Sequence, residues 1–272
     1  MPFTPPRWAR KITRDMLRFR DITSWEYGYW WVEWGGDLDT IRDNERIRFE
    51  LLDISLGVWD YIKNSGEQPS SANWALDWLG MVPGKRGSRR MDGDYTLTEN
   101  DCMGRNGDPP DGVCIGGWPM DDHPPGGFDR PDLKPNTVTV PPLPYNIPLR
   151  CLYSRNIANL FMAGRNISAS HVAFTSSRVM ATCSAIGQAV GTTAALCLEH
   201  KLLPREFASS PPRVGDLRQV LLRDDQTIRC ATMNSLPSTP RASRPRSRRS
   251  PATTKGSGAM FSAPSRRRPC AC

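Results

Sequence analysis

The stretch Asn159-Leu-Phe-Met-Ala-Gly-Arg-Asn-Ile-Ser-Ala-Ser-His171 decides how this chain of 272 residues is organised. Leu160, Phe161 and Met162 form a short apolar run that stops at Ala163-Gly164, as a buried strand stops at a tight turn. A polar loop carrying His171 follows. Val179 to Leu198 is then uncharged and rich in small residues, bounded by Arg178 and Glu199. Strand, glycine and small-residue helix in that order predict a unit that holds a cofactor against the backbone.

Working outward, the formal charge of +8 is not spread evenly. Residues 229 to 272 hold nine Arg and one Lys with no acid, and removing those ten cations from the total of 36 leaves 26 bases against 28 acids. The body is therefore close to neutral, and no nucleic-acid role is inferred for it. Eight Cys are scattered without a C-x-x-C pair in the body, which argues against an iron–sulfur or zinc site; no metal is expected. Cys183 and Cys197 read as small buried hydrophobes, which suits a reducing compartment. The first twenty residues carry several Arg and no apolar run, so no signal peptide is expected, and the location read from these features is cytoplasmic. Val179 to Leu198 has the length of a membrane span and contains Gly187-x-x-x-Gly191. Its Thr182, Ser184, Gln188, Thr192 and Thr193 favour a close-packed buried helix instead, with no membrane.

Taken in order, residues 1–24 are basic and irregular, with Pro2, Pro5 and Pro6 blocking early helix formation. Trp25 to Gly36 is dense in aromatics and predicts a strand ending in a Gly-Gly turn, its rings serving as core in preference to a substrate-stacking wall. Asp39 to Asn64 predicts a helix, started by a capping-box-like Thr40/Asp43 pair and carrying one stripe of Ile47, Leu51, Ile54, Val58 and Ile62. A short helix is expected over Ser71 to Leu79, with Trp74 and Trp78 one turn apart. The cluster Pro83-Gly-Lys-Arg-Gly-Ser-Arg-Arg90 is either a solvated turn or a clamp for a carboxylate or a pyrophosphate. Asp92 to Asp101 predicts a strand and a turn. Gly116 to Gly127 holds too much Pro and Gly for regular structure and predicts a loop presenting Asp121, Asp122 and His123. A His beside carboxylates can act as general acid or base, or it can be an incidental surface residue. Pro141 to Arg150 should be extended, and Asp216 to Asp225 a short helix. Beyond Arg229, Pro, Ser, Thr and Arg dominate, and a disordered basic tail is expected.

Several of these strings carry a resemblance. Ala163-Gly-Arg-Asn-Ile-Ser168, His171, Arg178-Val-Met180 and Gly187-Gln-Ala-Val-Gly-Thr192 resemble the C-terminal flavin-binding segment of FAD-dependent oxidoreductases with a glutathione-reductase-like FAD domain. Gly84-Lys-Arg-Gly-Ser-Arg-Arg90, Gly93-Asp-Tyr-Thr-Leu-Thr98 and Gly116-Gly-Trp-Pro-Met-Asp-Asp-His-Pro-Pro125 are similar to further runs of that family, which carries Glu where this chain has Gly87. The resemblance spans residues 14 to 228.

It implies an α/β fold: part of a Rossmann-like FAD domain in residues 145–228, a partly antiparallel substrate or cap portion in 25–144, and a tail in 229–272. It implies FAD as cofactor, with Gly164, Arg165 and Asn166 beside the ribitol and pyrophosphate, and Arg178, Val179 and Met180 at the N1–O2 edge of the ring. His123, His171 and Arg178 become the candidate catalytic residues, acting on a small organic molecule by hydride transfer to flavin. The G-x-G-x-x-G turn that opens such folds does not occur here: the paired glycines at 35–36, 116–117 and 126–127 follow aromatic or Pro-rich segments and open no helix. The expectation is a C-terminal fragment, or else a chain whose N-terminal half is encoded elsewhere and supplied by another chain. Two other classes stay open, a non-catalytic remnant acting as a binding protein and a nucleic-acid binder driven by the tail.

Overall fold

The computed structural model describes residues 2–234, so the predicted disorder of 235–272 lies outside the described residues. Two hydrophobic cores organise the described part. The first forms around α1 (Asn44–Asn64), whose Ile54, Val58 and Ile62 pack with Leu17, Ile22, Trp25, Trp31 and Phe128. The N-terminal segment crosses α1 at Gly57, where a Cβ would sit 2.1 Å from the Arg10 carbonyl oxygen. Arg10 fixes the crossing by pairing with Glu50, Asp53 and Asp129. Only glycine lets the two backbones meet this closely.

Local chemistry overrides several expectations here. Trp25–Tyr27 is a 3-10 turn, not the start of a strand, because Trp25 and Trp31 turn inward to the core while Trp30 faces out. Thr40 and Asp43 do not cap α1: an Asp39 carboxylate oxygen accepts from the backbone of Ile41 and Arg42, forming a turn that delays the helix to Asn44. Residues 71–79 leave helical geometry after a 3-10 turn over Pro69–Asn73, and Trp74 and Trp78 remain exposed.

The second core is built on α2 (Glu99–Cys102), β1 (Gly112–Gly116), β2 (Met120–Asp122) and β4 (Tyr145–Pro148), with the exposed β3 (Thr137–Thr139) at its edge. The helices α3 (His171–Ser177), α4 (Met180–His200), α5 (Pro204–Ala208) and α6 (Pro211–Arg223) complete it. β1 pairs antiparallel with β4, and β2 with β3. α2 carries the capping box in this fold, with Thr98 and Asp101 satisfying each other's backbone. β2 corrects the expectation that 116–127 is wholly irregular: Met120 to Asp122 find partners in Thr139 to Thr137 between the glycine- and proline-rich ends.

Leu160–Ala163 is not the strand expected of a parallel sheet. Phe161 makes one antiparallel bridge to Tyr153, and among the described residues the parallel pairing is the single bridge Leu97–Ala169. Strands need neighbours on which to form ladders, and two-stranded antiparallel sheets are what these residues supply. The polar loop expected at His171 is instead α3, started by Ser170, whose hydroxyl accepts from Ala173 N–H at 3.3 Å. Arg229–Asn234 also departs from the tail expectation. Arg229 exchanges backbone hydrogen bonds with the Asn146 side chain and pairs with Asp108, while Asn234 bonds to Gln219.

α4 lies on β1 and α6 through Thr182, Ile186, Ala189, Thr193 and Cys197. It was expected to be buried all round, yet only 28% of its apolar window is covered within the structure. Met180 and Leu198 stand exposed, and a Cβ added at Gly187 or Gly191 would meet nothing within 4 Å. In length and composition α4 satisfies the requirements of a membrane-crossing helix.

Candidate functional site

Between the two cores lies a cleft of about 410 Å³. One wall is the aromatic stretch from Val32 to Leu38 with Ile47 and Leu51 of α1; the opposite wall is the segment following β2 together with α3 and Arg178. The segment 83–90 closes one side. Within it Gly87 packs where a Cβ would come to 3.0 Å from the Phe174 ring. A Glu at this position, as in the resembling family string, would require Phe174 to move.

His123 occupies the centre of the polar wall. Its Nδ1 lies 2.8 Å from Glu33 Oε2 and its Nε2 lies 3.1 Å from Asp121 Oδ2. Carboxylates only accept, so the arrangement favours the imidazolium, in which both ring nitrogens donate. Burial opposes that charge, but the two carboxylates outweigh it and raise the His123 pKa. Burial likewise pushes against ionisation of Glu33, and hydrogen bonds from His123 and Arg86 overcome it, holding its carboxyl below the ordinary range. Asp121 is held down in the same way, against its burial, by Asn136 and His123. Trp30 packs edge-on against the imidazole with ring centroids 5.5 Å apart, and Arg86 lies over the same indole.

Arg178 closes the chain of charges. It ends α3, its backbone N–H donating to Phe174, and its side chain is only 12% exposed. Its Nη2 donates to the Asp121 carbonyl at 3.3 Å and lies 3.7 Å from the Asp121 carboxylate, while its Nε is buried without a partner among the described residues. Burial, and then the nearby Arg86 charge, lower its pKa. His171 stands at the rim with Nε2 3.0 Å from Asp122 Oδ1.

The structure thus brings together His123, His171 and Arg178 with the 83–90 cluster, around one cleft. Gly164, Arg165, Asn166, Val179 and Met180 do not line it. They form a neighbouring group. Arg165 donates to the Lys85 carbonyl, and the Asn166 carbonyl accepts from Met91 N–H at 3.0 Å, so this turn braces the back of the cationic segment. Arg165 also reaches Cys183 in the first turn of α4: burial pushes that thiol up, and the Arg165 charge pulls against it.

This second group suits a flavin. Gly164 has φ +97°, with only Asn166 Oδ1 near a Cβ position, so the backbone at the turn is open to approach. The first turn of α4 has no side-chain cap from Val179, leaving its N–H groups free to meet an electron-rich edge. Ser177, just before it, has a buried hydroxyl without a partner among the described residues.

A family model described as FAD dependent oxidoreductase matches residues 3–221. The chain belongs to the FAD-dependent oxidoreductase family. FAD is the cofactor that this membership brings, and oxidation–reduction is the general class of activity. No curated protein and no solved structure matches the chain.

Sequence reasoning missed Glu33, which holds one face of His123 from 90 residues away. Its signal was present: a lone carboxylate inside Tyr29-Trp-Trp-Val-Glu-Trp34 is expensive to bury unless it has a partner. Cys102 and Cys114 stay outside this chemistry. Burial pushes the Cys102 thiol up to about 11 and the Cys114 thiol up to about 12, which leaves both protonated and unreactive at neutral pH.

Proposed function

We propose that the chain forms the substrate-facing and flavin-edge portion of an oxidoreductase acting on a small organic molecule. In this reading the 164–166 turn and the first turn of α4 hold the flavin. Bound FAD supplies a two-electron acceptor that takes a hydride from a substrate carbon. The observation that carries the reading is the convergence of Arg178, His123 and His171 on one cleft beside the start of α4.

The two histidines divide the work. His123 is already doubly protonated between Glu33 and Asp121, so it contributes fixed positive charge and holds the two walls together. His171 is the proton acceptor. Asp122 accepts from its Nε2–H, which leaves the Nδ1 lone pair available, and no partner occupies Nδ1 among the described residues. Arg178, at the junction of α3 and α4, would be the cation standing between the cleft and a flavin held at the start of α4.

The test is an FAD titration of the full chain followed in the visible flavin bands. Bands that shift and gain vibrational structure, and that lose this on Arg178→Gln, are the expected result. Bands identical to those of free FAD at every protein concentration would overturn the flavin assignment for this chain.

A further inference from the structure

The charges around the cleft do not balance. Counting His123 as imidazolium, Lys85, Arg86, Arg90, His123 and Arg178 face only Glu33 and Asp121. The pairings account for part of this excess. Arg86 is taken up by Glu33, and Lys85 donates to the Thr40 carbonyl. Arg90 forms no ion pair among the described residues; its guanidinium lies 5.3 Å from the Phe174 ring centroid. Arg178 lies 5.8 Å from the same centroid, with Nε buried and unpartnered and its one carboxylate at 3.7 Å shared with His123. Both guanidinium groups therefore line the cleft and lie near one aromatic ring, with no close carboxylate of their own. Arg90 is exposed and keeps its water, but the largely buried Arg178 is short of partners at a cost, and an anion arriving in the cleft would supply what the protein does not.

The rest of the cleft limits what that anion carries. Ile47 and Leu51 of α1, with Leu38 and Phe174, give it an apolar side. A volume of about 410 Å³ is at the smaller end of ordinary small-molecule sites, which run from about 300 to 1,000 Å³. Glu33 on one wall and Asp121 on the other disfavour a second negative charge.

We propose that the cleft takes an organic monocarboxylate, its charged end on Arg90 and Arg178 and its apolar body against Ile47, Leu51 and Phe174. Calling that carboxylate the substrate rests on the oxidoreductase reading above; its binding to this chain does not. Planar guanidinium groups match a carboxylate through paired N–H donors, and the neighbouring apolar wall distinguishes such an acid from an inorganic anion.

Calorimetric titration of the full chain with benzoate tests this, with benzamide as the neutral analogue and inorganic phosphate as the apolar-free anion. The expected result is one benzoate per chain, with benzamide and phosphate each weaker by about tenfold or more. Arg90→Gln is expected to weaken benzoate by about tenfold, whereas Arg14→Gln, which removes the same charge from an exposed pair with Glu67, leaves it unchanged. Absence of benzoate binding, equal affinity for benzamide, or equal affinity for phosphate would each overturn the proposal. So would FAD displacing benzoate in direct competition, since the two arginines would then serve the cofactor's pyrophosphate. If benzoate binds while the flavin bands stay unperturbed, the carboxylate site stands and the flavin assignment is the one that fails.

Discussion

α1 and α4 are both 21 residues long, and they solve the problem of burial in opposite ways. α1 is amphipathic: Ile54, Val58 and Ile62 enter a core, while Glu45 and Arg46 stay in water. Only Phe49, 59% exposed, breaks that division. α4 carries no charge before Glu199 and has only one side packed, on β1 and α6. Glycine marks the contrast most sharply. At Gly57 of α1 the Arg10 backbone fills the place of a side chain, and at Gly187 and Gly191 of α4 nothing does. Identical residues in equally long helices are a packing requirement in one and an unused freedom in the other.

That contrast can be broken by substitution. Gly57→Ala forces a methyl group into the Arg10 carbonyl at 2.1 Å and is expected to destabilise the fold by about 1–3 kcal/mol, read from the urea midpoint. The opposite sign is expected in α4. Gly191→Ala meets no atom, and helix propensity alone should stabilise the chain by about 0.5–1 kcal/mol. A loss at Gly191 would mean that this face is covered in solution, and the comparison would fail.

The smallest effect sharpens the comparison at the place where the two regions meet. Glu33 comes from the aromatic stretch beside α1, Asp121 and Arg178 from the region of α4, and His123 joins them. Because folding raises the His123 pKa, its contribution is complete below the free imidazole value of 6.5 and is lost as pH rises through the higher folded-state value. Glu33 and Asp121 are shifted down, so their share persists until pH falls below the ordinary values of 4.5 and 3.8. Urea midpoints should therefore fall on the alkaline side of 6.5, and His123→Gln should remove that slope. An unchanged slope in the variant would show that the histidine does not join the two regions.

Much of this was legible in the sequence, though unevenly. The expectation of a helix over Asp39–Asn64 differs from α1 only in its first turn, and Val179–Leu198 differs from α4 by a residue or two at each end. Both rest on local periodicity and on uncharged length, which a chain carries within about twenty residues. Residues 160–163 misled because an apolar run becomes a strand only where a neighbour offers a ladder, and here Phe161 finds a single bridge. His171 misled for a smaller reason: Ser170 is a helix cap, and a cap among polar residues looks like a loop.

From the sequence alone came the family's strings, the two long helices and the placing of most positive charge beyond residue 229, since each depends on order and composition. Only the tertiary structure decided that His123 is clamped from both sides, that Arg178 is buried with a donor unused, and that α4 shows an open face. The reason is distance along the chain. Glu33 meets His123 across 90 residues, and Arg10 meets Gly57 through a carbonyl that any residue would carry. Side-chain identity is written in order, but charge balance and contact exist only after the chain has closed on itself.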